Sequence, residues 1–204
     1  CAAAVERTAG LLADMGHRVD IAEPAWRNEM LVHLFSAAFG PAVSTQIIFG
    51  QLVAQKGATA DDMEPLSWHV WEQSNQLPAP MYLAAMAQLN EVCRPLVAFF
   101  DDYDILLTPA LAEAPVEHGV IDPRAADPAA AFARSGQFTP FTAAANVTGL
   151  PAISVPVEQR SDMDLPLGVQ LMAGPNKEHL LLQVAHQLEQ AQPWKDRIAP
   201  IAAA

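Results

Sequence analysis

Apolar residues recur at helical spacing over 2–15, where Val5, Ala9, Leu12 and Met15 are separated by Glu6, Arg7 and Asp14. That period predicts a helix buried along one stripe, and Gly16 is placed to end it. From 17 to 22 the period falls to two. Val19 and Ile21 alternate with Arg18 and Asp20, which predicts a short strand stopped by Pro24. Residues 25–56 predict a helix, a break at Gly40-Pro41, and a second helix. After a small, acidic loop over 57–62, a helix is expected over 66–76, with Trp68 and Trp71 on it. A longer helix follows over 81–103. Leu89, Val92 and Leu96 share one of its faces, and Pro95 inside it removes a backbone donor. The pattern predicts a strand over 104–109, then an irregular surface excursion over 110–135, rich in Ala, Pro and acids.

The stretch 136–174 carries the clearest pattern. Two apolar runs, 152–157 and 167–173, each follow a turn signal, Gly149-Leu150-Pro151 and Leu165-Pro166. Small residues from Thr142 to Thr148, interrupted by Asn146, precede the first run, and an amphipathic helix over 177–190 follows the second. Charge is almost confined to the connecting loop, so both strands are expected to be buried on two faces. Helices leading directly into strands predict an α/β fold. Its mixed β-sheet would use strands near 18–22, 104–109, 152–157 and 167–173, with helices on both faces. The tail after Trp194 is expected to fray. With no internal repeat and no linker, residues 1–204 are expected to form a single α/β segment.

Composition narrows the partners. The net charge of −12 argues against nucleic acid and against an anionic membrane surface, because both attract basic proteins. Residues 30–55 carry no formal charge and are long enough to span a bilayer. Gly40-Pro41 and the polar Ser44, Thr45, Gln46 and Gln51 interrupt that stretch, so a broken pair of buried helices is expected and a membrane is not an expected partner. Cys1 and Cys93 do not make a disulfide framework, which predicts a cytoplasmic location. No leader pattern is visible. The first residue is Cys rather than Met, so the chain is expected to start inside a longer protein. The six histidines are scattered, and no metal site and no cofactor are expected.

Four pieces in order give the chain a family likeness. They are Ala4-Val5-Glu6 with Gly16-His17-Arg18-Val19; Tyr103 to Thr108-Pro109; Phe138 through Ala145-Asn146-Val147-Thr148-Gly149-Leu150-Pro151 to Pro156; and Pro166-Leu167-Gly168-Val169-Gln170-Leu171 with the helix to Glu189 and Pro193-Trp194. Together they resemble the C-terminal portion of the amidase signature fold. The resemblance implies a serine amidohydrolase that cleaves a small-molecule carboxamide through an acyl-enzyme. The family uses a Ser nucleophile, a second Ser in a cis peptide and a buried Lys, all in its N-terminal half. The missing N-terminal half of the same protein is therefore an implied partner. No catalytic residue carries over: Lys56, Lys177 and Lys195 all stand where a solvated side chain is expected, and no Gly-Ser-Ser-Gly or Gly-x-Ser-x-Gly string occurs. The competing reading is a non-catalytic domain that binds a ligand or a partner chain.

Three residues are candidates for substrate contact. The resemblance puts the turn carrying Phe138 and Phe141 near the family's substrate funnel, as an apolar wall; core packing is the plainer role for both. Asn146 would lie at the edge of an acyl pocket, or else bond backbone groups at the helix end near Gly149. Gln170, among apolar neighbours, is expected to bond the adjacent strand or loop, and His17 to satisfy nearby backbone. An isolated segment would leave a sheet edge and an apolar face uncovered, so a homo-oligomer is one expected outcome.

Overall fold

The computed structural model describes residues 1–25, 31–159 and 165–197; the connecting loop over 160–164, the start of the 25–56 helix and the end of the tail lie outside the described residues. In chain order the elements are α1 (Ala2–Asp14), α2 (Leu31–Ala54), α3 (Pro65–Asn75), α4 (Ala79–Ala98), β1 (Ile105–Pro109), α5 (Pro128–Phe138), α6 (Thr142–Thr148), β2 (Ala152–Gln159), β3 (Pro166–Ala173) and α7 (Glu178–Ala191). They divide into two compact units. One is Cys1–Pro24, Leu96–Pro115 and Thr139–Ala204; the other is Ala25–Pro95 and Val116–Phe138.

The first unit holds the sheet. Its strand order is β1-β3-β2, and both ladders are antiparallel. The central strand β3 explains the rest of the unit. Successive side chains point to opposite faces of a strand. Leu167, Val169, Leu171 and Ala173 of β3 therefore join Val155 and Val157 of β2 in one buried cluster, with Ala4 and Leu12 of α1 and Leu181, Val184 and Leu188 of α7. The opposite face carries Gln170 and Met172, and α6 lies on that side. The α/β class with helices on both faces is as expected, and the mixed sheet of the expectation is antiparallel throughout these three strands.

Local chemistry sets the ends of these elements. α1 stops at Gly16, whose φ is +94°, a region open to glycine at little cost. Its N–H bonds the Ala13 carbonyl, and the His17 N–H bonds that of Leu12, the paired bonds of a Schellman cap. β2 contains a bulge between Pro156 and Glu158, opposite Gly168 and Leu167 of β3. Gly168 has to be small: a Cβ there would stand 3.3 Å from Ser154 Oγ and 3.4 Å from the Val155 carbonyl oxygen.

One expected strand does not form. Residues 17–22 are irregular, with Val19 exposed and Ile21 fully so. Alternation marks a segment able to enter a sheet, but a strand needs a neighbour to complete its ladder. No neighbour meets it among the described residues. His17 also departs from expectation: its Nε2 lies 2.7 Å from Gln187 Oε1 on α7, so its partner is a side chain rather than local backbone.

The second unit is helical. α2 runs unbroken through Gly40-Pro41, contrary to the expected broken pair. A proline inside a helix removes one hydrogen bond, while the turns on either side each keep their own. Gly40 serves packing instead, since a Cβ there would lie 3.3 Å from Cβ of Ser74 on α3. The expected burial fails as well: Ile48, Phe49, Leu52 and Val53 are exposed. Over Leu34–Ala54, α2 is long and apolar enough to cross a membrane by length and composition. The region 110–135 was expected to be irregular, yet its end enters α5. Asp127 caps that helix, accepting from the Ala130 N–H at 3.0 Å, and Pro128 fills its first position. Leu89 and Cys93 are the buried residues that α4 gives this unit; Cys93 is the small core residue expected, and burial pushes its thiol pKa up.

Two substitutions test this account of the packing. Leu171→Ala, at a side chain with no exposure, should cost about 2–5 kcal/mol. Ser44→Ala removes the one buried side-chain oxygen that lacks a partner among the described residues. It should leave stability unchanged or raise it by up to about 1 kcal/mol. Urea midpoints of the two variants and the parent separate these outcomes.

Candidate functional site

The polar residues of the sheet fall in one row. Register pairs Thr108 of β1 with Gln170 of β3, and Gln170 with Ser154 of β2, so three polar side chains cross the face away from the α1–α7 core. Gln170 is 5% exposed and must be satisfied within the protein. Its Nε2 donates to Thr108 Oγ1 at 3.4 Å and to the Phe141 carbonyl oxygen at 3.3 Å. Thr108 Oγ1 donates in turn to the Pro109 carbonyl at 3.1 Å. The expected bond from Gln170 to the adjacent strand or loop is thus present to both.

Above this row sits α6. Small residues let it approach the strands, and its C-terminus is closed without help from Asn146. Gly149 takes φ +69° and its N–H bonds the Ala145 carbonyl at 2.9 Å. Thr148 Oγ1 donates to the Ala144 carbonyl at 2.7 Å and accepts from the Leu150 N–H at 3.3 Å. The helix-end role expected of Asn146 therefore belongs to Thr148 and Gly149. Asn146 is exposed, and its amide has no protein partner among the described residues.

Between α6 and the sheet is an open depression of about 490 Å³, lined by Thr142, Ala145, Asn146, Gly149, Leu150, Ala152 and Gln170. None of these side chains ionises. Of the sequence-based candidates, Asn146 lines the depression. Phe141 contributes its carbonyl to Gln170, and its half-buried ring is not part of the lining. Phe138 ends α5 in the other compact unit, where the Arg134 guanidinium stands 6.0 Å from its ring centre. Gln170 and Thr148 were not among those candidates. The register signal was there, since Gln170 is the polar residue of an apolar strand, but its outlet into a cavity depends on α6.

The charged and nucleophilic groups are elsewhere. All three lysines are exposed. Lys56 pairs with Asp62 at 2.9 Å and, with Thr59, pulls that carboxyl down to about 2. Among the described residues no peptide bond is cis, and no group of three or more His, Cys, Asp or Glu gathers as a metal site.

The amidase family model matches residues 1–182, so the chain belongs to the amidase family. It is 32% identical over 204 residues to a 6-aminohexanoate-cyclic-dimer hydrolase of Paenarthrobacter ureafaciens, an alignment covering 97% of this chain and 41% of that protein. A Mycobacterium bovis relative that carries an amidase name, AmiC, is 33% identical over 198 residues, covering 95% of this chain and 40% of the relative. The solved structure of 6-aminohexanoate cyclic dimer hydrolase matches with a TM-score of 0.86 at 31% identity, over 95% of this chain and 41% of that one. The chain thus spans about two fifths of the length of the curated relatives it matches.

The α6 geometry makes a paired prediction. Thr148→Val keeps the shape and removes both hydroxyl bonds, and should cost about 1 kcal/mol. Asn146→Ala, at an exposed and unpartnered amide, should change stability by no more than about 0.5 kcal/mol. Chemical denaturation of both variants would show the reverse order if Asn146 were the structural cap.

Proposed function

We propose that this chain is the C-terminal scaffold, and one wall of the acyl pocket, of a serine amidohydrolase that cleaves the C–N bond of a small uncharged carboxamide through an acyl-enzyme. The observation that carries this reading is the 0.86 TM-score at 31% identity to an amide-cleaving hydrolase, over nearly all of this chain. The depression beside Asn146, neutral throughout its lining, suits an uncharged amide. Phe141 and Phe138 are kept as candidate apolar wall residues.

The bond-breaking groups come from a separate N-terminal part of the same protein. A Lys serving as proton acceptor has to be desolvated to be neutral near pH 7, and each lysine here is exposed to water. The chain alone is therefore inactive, and the N-terminal part is its principal partner. Two free cysteines and the absence of a disulfide framework favour a cytoplasmic site of action. The acidic net charge leaves nucleic acid and anionic membrane outside the partner set. The exposed apolar positions of α2, Phe49, Leu52 and Val53 among them, favour self-association when the N-terminal part is absent.

The test is reconstitution. The 204-residue chain alone should give no turnover of an aryl or aliphatic amide. Co-expression with an N-terminal segment bearing a Lys and a Gly-Ser-Ser-Gly-type loop should give saturable hydrolysis. Turnover by the chain alone would overturn the division of labour. An N-terminal segment with neither feature would favour the second reading, a non-catalytic binding domain built around the same depression. Size exclusion gives an independent check: the chain alone should elute larger than a monomer, and a stable monomer would count against the uncovered surface.

A further inference from the structure

The floor of the depression contains an acceptor that the fold leaves unused. Gln170 Nε2 faces the Phe141 carbonyl, a group that can only accept, so the side-chain amide has one tenable orientation. Its second donor goes to Thr108 Oγ1, whose own hydrogen is committed to the Pro109 carbonyl. Both N–H bonds of Gln170 are therefore used within the protein, and Oε1 receives no donor from any described residue. Yet Oε1 is not sealed in. Among the described residues only Ser44 Oγ is a fully buried side-chain polar atom without a partner. The Gln170 side chain is thus held by two bonds, nearly buried, with its carbonyl oxygen reachable from a cavity whose lining carries no charge.

We infer that Gln170 is a specificity-determining residue whose Oε1 accepts a hydrogen bond from an uncharged ligand, and so favours a carboxamide over the carboxylate that hydrolysis leaves behind. This rests on the amidohydrolase reading above and adds the group that separates substrate from product. A primary carboxamide presents an N–H to Oε1. A carboxylate presents only acceptors, so lone pairs would face lone pairs, and no cation in the lining offsets the loss of its water. Asn146 complements this at the exposed rim, because its amide can donate to the ligand carbonyl. The product is then the disfavoured occupant, which helps it leave.

Benzamide and benzoate share the ring and differ in the neutral amide against the anionic carboxylate, and make the test. The 15N-labelled 204-residue chain is titrated with each at pH 7, following the side-chain NH2 signals of Gln170 and Asn146. Benzamide should shift both signals saturably, and benzoate should need a concentration about tenfold higher or more. Gln170→Met keeps the bulk without the acceptor and should narrow the preference several-fold, leaving the part that the uncharged lining imposes; an unchanged preference in this variant would overturn the inference. Asn146→Ala, on the surface, should weaken benzamide binding while keeping the preference, so the test survives if the Gln170 variant does not fold. Equal affinity for the two ligands, or no saturable shift at Gln170, would overturn the inference. Turnover by the reconstituted enzyme with equal amide and acid binding would sink this inference alone; amide preference without turnover would sink the amidohydrolase reading alone.

Discussion

The register of β3 is the constraint on which the first unit depends. Its side chains alternate between two faces, and the two faces meet different surroundings. Val169, Leu171 and Ala173 have no exposure and close the core against α1 and α7. Gln170, between them, faces the other way and is bonded by Thr108 and Phe141. A slip of one residue would drive an amide into a hydrocarbon cluster and bring two large aliphatic groups to the depression. Packing on one side and hydrogen bonding on the other therefore enforce the same register. The bulge in β2 and the small Gly168 accommodate it locally.

That arrangement separates stability from recognition. The α1–α7 side is dry and aliphatic, and nothing there can do chemistry. The α6 side is neutral, polar and half open, with Thr148 and Gly149 closing the helix so that Asn146 is left free at the rim. Such a surface can orient an uncharged ligand. The three lysines are exposed, and Cys93, the buried thiol, has its ionisation disfavoured. The chain belongs to the amidase family and spans about two fifths of the matched relatives.

Much of this was legible from the residues alone. The stripe of Val5, Ala9 and Leu12 gave α1, and the turn signals at Gly149-Leu150-Pro151 and Leu165-Pro166 gave β2 and β3 nearly to the residue. Gln170 announced a need for partners by standing polar in an apolar run. The misses share a cause. Alternation at 17–22 describes a segment suited to a sheet, whereas no strand among the described residues completes its ladder. Gly40-Pro41 reads as a break, but Gly40 answers to the approach of Ser74, a contact from a helix more than thirty residues away. The cap Asp127-Pro128 was present but hidden in a Pro-rich stretch.

Periodicity, turn residues and caps are properties of neighbours along the chain, and they were enough to set the class of fold, most element boundaries and the family likeness. Which polar groups share a cavity is a matter of register and of what packs above it. Thr108, Phe141, Asn146 and Gln170 come from three separate stretches, and no local pattern says that they meet. Only the folded arrangement decides that Gln170 spends both donors inward and keeps its acceptor for a ligand.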